Sequence, residues 1–184
     1  MPTQQIVDKQ EAQEAQAIVS ERGAAMSALA PLEILYEAGR GRVVPLPAAL
    51  ARLYGPLRLP ARVDRPLIIG NFVTTLDGVV SLNAPGQSGG GPISGENAHD
   101  RMAMGMLRAV ADAVIVGAGT LRSEPEHRWT AAYVAPRFAA SYQALRESLG
   151  MPAQPMTVIV SASGEINLNL PVFQSGATPV LIVT

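Results

Sequence analysis

Residues 112–124 read DAVIVGAGTLRSE, an apolar run followed by a glycine-rich turn. This pattern indicates an α/β fold. Residues 113–116 form a short, continuously apolar run, typical of a strand buried on both faces of a parallel sheet. Residues 117–120, GAGT, follow directly and place glycine amides at the carboxyl edge of that sheet, where ligands of open α/β sheets bind. Glycines there let a phosphate or a ribose approach the backbone. The alternative is a plain glycine turn between a strand and a helix.

The dinucleotide fingerprint GxGxxG is incomplete in this stretch, because Arg122 stands where the third glycine should be. This departure argues against a Rossmann dehydrogenase. The Arg122 guanidinium could instead pair with a ribose 2′-phosphate, which favours NADP over NAD. Thr120 offers a hydroxyl group at the start of the following turn.

On either side of this stretch, strand and helix patterns alternate, which is typical of an α/β domain. The predicted elements are strands over residues 67–75, 113–116, 157–161 and 180–183, and helices over residues 94–111 and 136–149. Ser94 is the predicted N-cap of the first of these helices.

The chain before residue 67 has a different composition. Residues 1–30 are rich in good helix formers and are predicted to be a helical extension. Residues 31–66 contain six prolines, which disfavour a long helix or a central strand. We therefore predict two regions: a helical and proline-rich extension at 1–66 that wraps the core, with a short helix near 48–54, and an α/β domain at 67–184.

Composition excludes several classes of protein. Hydrophobic residues make up 48% of the 184 positions, which excludes disorder of the whole chain. The net charge of −1 provides no basic surface for nucleic acid or anionic lipid. The absence of cysteine removes disulfides, thiolate zinc sites and iron–sulfur clusters. Without a signal peptide or an apolar run of membrane-spanning length, we expect a cytoplasmic protein with neither membrane nor nucleic-acid partners.

Polar side chains in two further segments are candidates for a site. Thr74, Thr75 and Asp77 lie beside the glycine-rich residues 83–91, as a polyol or pyrimidine site would need, although Asp-Gly is also an ordinary turn. Arg108 lies near the end of the helix over 94–111. It could bind a phosphate through two hydrogen bonds, or it could simply oppose the helix dipole.

The residues beyond the glycine turn could line a pocket. Glu124, His127 and Arg128 are the polar candidates, whereas Trp129 is expected to pack in the core. His99 and His127 are the only histidines and do not have the spacing of a zinc site, so we predict no metal.

Four motifs together resemble the reductase domain of riboflavin biosynthesis, which is the C-terminal half of bifunctional deaminase–reductases (the RibD C-terminal domain), and its stand-alone relatives. They are TTLDG at 74–78, SGGGPISG at 88–95, LRAVADAVIVGAGTLR at 107–122 and VIVSASG at 158–164. The resemblance covers residues 67–184. It implies a dihydrofolate-reductase-like fold, with a mixed, mainly parallel sheet flanked by helices.

The resemblance also implies a function. The family uses NADPH to reduce the ribosyl group of a phosphorylated ribosylaminopyrimidine by hydride transfer, and the cofactor supplies the hydride. The residues that would face NADPH are Thr74, Gly117, Gly119, Thr120, Glu124 and Ser161, with Arg122 beside them. Those that would face the substrate are Thr75, Asp77, Ser94 and Arg108, with Asp77 as the catalytic candidate and Arg108 near the phosphate. The full-length form would be a homodimer.

The chain departs from the family pattern in three places. Asn71 stands where the pathway enzymes commonly carry a lysine, and residues 1–66 lack the zinc motif of a deaminase domain. The family continues past Thr184 with further strands and a Glu-Gly-Gly segment, so we expect the reductase domain to be incomplete here. These departures leave two alternatives: a nucleotide-binding module without turnover, or a reductase of a pterin or another small carbonyl substrate.

Overall fold

In a computed structural model of the protein, residues 29–61, 65–82 and 90–184 are described. The chain divides into two compact units, Met1–Pro31 and Leu32–Thr184. The predicted helical extension lies almost entirely outside the described residues, as does most of the glycine-rich segment over 83–91. All the described helices and strands belong to the second unit. The division at residue 66 stays a prediction.

The second unit is a mixed α/β structure. Its described strands are β1 (Arg42–Val43), β2 (Arg58–Leu59), β3 (Ala113–Gly117), β4 (Met156–Val160) and β5 (Val180–Val183). Its described helices are α1 (Ala48–Tyr54), α2 (Gly91–Ser94), α3 (Ala98–Ala109), α4 (Ala118–Ser123), α5 (Ala131–Val134), α6 (Ala139–Ser148) and α7 (Pro171–Gln174), with a 3₁₀ helix (Pro136–Phe138) leading into α6. A parallel sheet flanked by helices confirms the predicted fold class and is consistent with a dihydrofolate-reductase-like fold.

The parallel sheet has the strand order β3-β4-β5, and its three strands are those predicted from β-branched runs. Gly117 pairs with Val160, and Val160 pairs with Val183, so the carboxyl ends of all three strands lie at one edge. A hydrophobic core cluster lies on one face of this sheet and contains Val116, Leu121, Trp129, Ile159 and Val172. The predicted packing role of Trp129 is confirmed.

The opposite face of the sheet is open in the described structure. Ile115 is 65% exposed and Leu181 is 48% exposed. The prediction that residues 113–116 are buried on both faces is therefore wrong, because the described core covers only the face that carries Val116 and Ile159.

Helix α3 begins later than the sequence predicted. Its N-cap is Asn97, whose side-chain oxygen accepts hydrogen bonds from the backbone N–H groups of His99 (2.9 Å) and Asp100 (3.1 Å). Ser94 instead ends the short helix α2, and Gly95 follows it at φ +59°, a left-handed conformation that suits glycine. The prediction of Ser94 as the N-cap is wrong, since two left-handed residues, Gly95 and Glu96, separate the two helices.

Residues 67–75 form no strand, and this prediction is also wrong. The segment carries exposed apolar side chains, with Ile68 at 82% and Phe72 at 79%. A strand exists only where its main chain pairs with a neighbour, and no described strand pairs with this segment. The predicted turn at residues 76–78 is confirmed: the N–H of Gly78 donates to the carbonyl of Thr75 at 3.0 Å.

The proline-rich part of the second unit contains the predicted short helix, α1, which buries Leu50 and Leu53. Strands β1 and β2 pair antiparallel beside it and are only two residues long, as the dense prolines predict. Across the described ranges, none of the helices combines the length and the hydropathy needed to cross a bilayer.

Candidate functional site

The glycine turn lies at the carboxyl edge of the parallel sheet. Gly117 ends β3 and is the N-cap of α4, while Gly119 and Thr120 are exposed in the first turn of that helix. Apart from the adjoining residues and the backbone of α4 itself, no heavy atom lies within 4 Å of a Cβ atom built on either glycine. The main chain is therefore open to close approach by a ligand, as the predicted role of the two glycines requires.

Ser161 lies at the same edge, immediately after β4. Its side chain is buried, and its hydroxyl oxygen accepts a hydrogen bond from the N–H of Gly164 at 3.1 Å. Its own N–H donates to the carbonyl of Val183 at 2.9 Å. Ser161 thus fixes the turn that follows β4.

Helix α4 connects the glycine turn to a second group of polar residues. Ala118 and Leu121 are buried, which leaves Arg122 exposed on the outer side of the helix. Glu124 is the C-cap, and its N–H donates to the carbonyl of Thr120 at 2.9 Å. The cofactor candidates Thr120 and Glu124 therefore belong to the two ends of one short helix.

Glu124 also belongs to what we call the Arg108 cluster, formed by Arg108, Glu124 and His127. His127 Nδ1 lies 2.9 Å from Glu124 Oε2, and His127 Nε2 lies 3.3 Å from Arg108 Nη1. Burial lowers the pKa of Arg108 to about 10, while Glu124 acts to raise it, so the guanidinium stays charged at neutral pH. Burial and the nearby Arg108 and Arg101 cations lower the pKa of His127 to about 4.

The turn over residues 74–78 forms a separate, exposed group. The Thr75 hydroxyl donates to the Asp77 carboxylate and accepts from the N–H of Val79 at 2.9 Å, so these polar groups bond to one another within residues 75–79. The turn lies near α2, since a Cβ on Gly90 would meet Val73 Cγ1 at 2.9 Å. Ser94, at the end of α2, donates its hydroxyl to the carbonyl of Gly91 at 3.2 Å.

A model of the RibD C-terminal domain family matches residues 66–184, a range that includes every predicted site residue. The chain belongs to this family. Comparisons with curated proteins and with solved structures gave no significant match. The matched region is therefore a domain of the riboflavin-biosynthesis reductase type, as the four sequence motifs implied.

One important residue of this RibD C-terminal domain was missed in the sequence. Arg146, on α6, is 2% exposed and donates to the carbonyls of Ala109 (3.1 Å), Ala111 (2.8 Å) and Pro152 (2.6 Å). It therefore neutralises the C-terminal end of α3, the structural role considered for Arg108. No local signal reveals this, because Arg146 lies 37 positions from the Ala109 carbonyl it binds.

The described structure also has a groove outside the range that the RibD C-terminal domain family matches. A groove of about 410 Å³ is lined by residues 43–46, Ala51 and residues 55–56, none of which is a predicted site residue. Within the described ranges, no group of three or more histidine and acidic side chains could hold a metal ion. The candidate groups in the described structure are therefore the carboxyl edge, the Arg108 cluster and the turn over residues 74–78.

Proposed function

We propose that the chain is an NADPH-dependent reductase that transfers hydride to a phosphorylated ribosylaminopyrimidine or a similar small molecule. The observation that carries this proposal is the open glycine main chain at the carboxyl edge of the sheet in a member of the RibD C-terminal domain family. Ligands of α/β sheets bind at this edge, particularly where glycine lets a phosphate approach the backbone.

The residues around the glycine turn fit the phosphate and ribose parts of NADPH. Gly117 and Gly119 leave space that a Cβ would fill, and Thr120 offers an exposed hydroxyl between them and Arg122. Arg122 has the charge to bind a 2′-phosphate. When bound, NADPH supplies the hydride, and the task of these residues is to hold and orient it.

The Arg108 cluster provides the substrate side of the proposal. The Arg108 guanidinium is largely buried, and among the described residues no carboxylate lies within salt-bridge distance of it. Such a cation favours an anionic ligand such as a sugar phosphate. Asp77, the catalytic candidate, together with Thr75 and Ser94, would bind the polar pyrimidine and polyol groups. Asp77 is exposed, so its carboxylate is accessible to a ligand.

A spectrophotometric assay tests the reaction. The chain is mixed with NADPH and the phosphorylated ribosylaminopyrimidine, and the loss of the reduced nicotinamide absorbance is followed. We expect NADPH oxidation that depends on both compounds and is lost in Arg122→Gln at limiting NADPH. NADPH that gives neither a thermal shift nor any oxidation would overturn the proposal.

A nucleotide-binding module without turnover is the second candidate. It is favoured by the turn over residues 74–78, since the Asp77 carboxylate is already bonded to the Thr75 hydroxyl, which in turn accepts from the N–H of Val79. Saturable NADPH binding with no oxidation across pyrimidine, pterin and small carbonyl substrates would favour this candidate over the reductase.

A further inference from the structure

His127 lies between an acidic and a basic side chain. Its Nδ1 is 2.9 Å from a Glu124 carboxylate oxygen, and its Nε2 is 3.3 Å from Arg108 Nη1. Glu124 can only accept and Arg108 can only donate. Arg108 can donate to Nε2 only if that nitrogen carries a free lone pair, and a carboxylate beside Nδ1 favours the neutral tautomer with its hydrogen there.

The surroundings of the ring favour this neutral form. Arg101 and Arg108 face it from α3, Glu124 faces it from the end of α4, and Tyr133 faces it from α5. The ring centroid lies 5.1 Å from that of Trp129 and 4.7 Å from that of Tyr133, which fixes the ring plane. Two nearby cations and partial burial oppose protonation, so at neutral pH His127 is an acceptor for Arg108.

Arg108 is held on one side only. Its Nη1 contacts His127 and the carbonyl of Thr130 at 3.4 Å. Among the described residues, no carboxylate lies within salt-bridge distance of the guanidinium, and Nε and Nη2 bond to none of their atoms. A guanidinium bound through one nitrogen presents its other N–H groups in a fixed direction, which suits two hydrogen bonds to an oxyanion.

We propose that His127 is a positioning residue that orients the Arg108 guanidinium towards the phosphate group of the substrate, with Glu124 fixing the tautomer that makes this possible. The inference rests on the proposed function, which supplies a phosphorylated ligand. It adds a residue that contacts neither the substrate nor the cofactor and acts only through Arg108. A carboxylate in place of His127 would hold Arg108 equally well but would neutralise it, whereas a neutral imidazole leaves the positive charge for the ligand.

The first test uses inorganic sulfate as the oxyanion probe, titrated into the 184-residue chain and followed by NMR. His127→Leu removes the acceptor, and we expect sulfate affinity to fall about tenfold. His127→Gln can still accept from Arg108 and donate to Glu124, and should stay within about threefold of the wild type. Arg108→Met should abolish binding, while Arg128→Met, which removes an exposed neighbouring cation, is the matched control and should leave it unchanged.

The second test needs no variant and separates positioning from simple packing. Nitrogen-15 NMR of the His127 ring should show a hydrogen on Nδ1 and none on Nε2 at about pH 7 and still at about pH 5. Sulfate affinity should fall once the ring is protonated, although the added positive charge alone would raise it. A ring with its hydrogen on Nε2, no sulfate binding by the wild type, or His127→Leu binding sulfate as well as the wild type would each overturn the inference.

Failure of this inference is distinguishable from failure of the proposed function. If the wild type binds and oxidises NADPH while His127→Leu binds sulfate as tightly as the wild type, only the positioning role is wrong. If sulfate binding depends on His127 as described but NADPH neither binds nor is oxidised, the reductase proposal is wrong and the anion site remains.

Discussion

Gly105 on α3 faces Tyr142 on α6 in the described core, and its replacement by alanine tests the packing of the helix that carries Arg108. A Cβ atom at this position would lie 2.6 Å from the Tyr142 hydroxyl oxygen and 2.7 Å from Cζ of the same ring. Tyr142 is 2% exposed and donates its hydroxyl to the Met102 carbonyl at 2.9 Å. The ring cannot swing into solvent, so either α3 or α6 must shift.

The expected size of the effect combines three contributions. Inserting a methyl group into a well-packed core costs about 1–3 kcal/mol, and weakening the Tyr142 hydrogen bond costs about 1 kcal/mol. Alanine returns about 1 kcal/mol through its higher helix propensity. We therefore expect Gly105→Ala to lower the free energy of unfolding by about 1–3 kcal/mol, which for a chain of this size lowers Tm by about 3–10 °C.

Thermal and urea unfolding of four proteins measure this effect: the wild type, Gly105→Ala, Tyr142→Phe and the double variant. Removing the hydroxyl relieves the shortest contact, so Gly105→Ala should cost less in the Tyr142→Phe background. Gly119→Ala is the control, because an added Cβ there meets no other atom within 4 Å; it should raise the free energy of unfolding by about 0.5–1 kcal/mol. Equal stability of Gly105→Ala and the wild type would show that α3 and α6 do not pack as described.

Three further predictions concern the site and its support. Gly119→Ala should weaken NADPH binding at least about tenfold in a thermal-shift titration while making the free protein more stable, because the methyl group fills the space left for the cofactor. Arg146→Met should lower the free energy of unfolding by about 3 kcal/mol or more in urea titrations, because three carbonyls lose a charged donor. Arg128→Met is the control and should leave the free energy of unfolding unchanged. An equal loss of stability in the two variants would contradict the capping role of Arg146. His127 binds protons more weakly in the folded chain, with a pKa of about 4 against 6.5 in the unfolded chain. The contribution of the neutral ring to the free energy of unfolding is therefore complete above about pH 6.5 and is lost as the pH falls towards about 4. The free energy of unfolding should fall by about 2 kcal/mol between pH 7 and 5. That slope should be absent in His127→Gln.

The sequence predicts elements well where the signal is local. The apolar runs of β3, β4 and β5 and the helix α1 all lie within a residue or so of their predicted bounds, because β-branched runs and flanking prolines act through neighbouring residues. The prediction of the N-cap of α3 was wrong for a similarly local reason. Ser94 and Asn97 are both good N-cap residues, and the left-handed Gly95 between them ends α2 before Asn97 caps α3.

Features that depend on distant parts of the chain could not be predicted. Whether residues 67–75 become a strand depends on a pairing partner, and the segment's own residues do not specify one. The capping of α3 by Arg146 joins residues 37 positions apart. The Arg108 cluster was predicted only as separate candidates, because the sequence places Arg108 and His127 on different elements and gives no sign that they touch.

The most direct measurement is an NADPH titration of the nitrogen-15-labelled chain, with each backbone amide followed separately. We predict that the largest shift changes occur at Gly117, Gly119 and Thr120, with a saturable dependence on NADPH concentration. The glycine turn is not the cofactor site if these three amides stay unchanged while others move, or if no amide responds to NADPH at all.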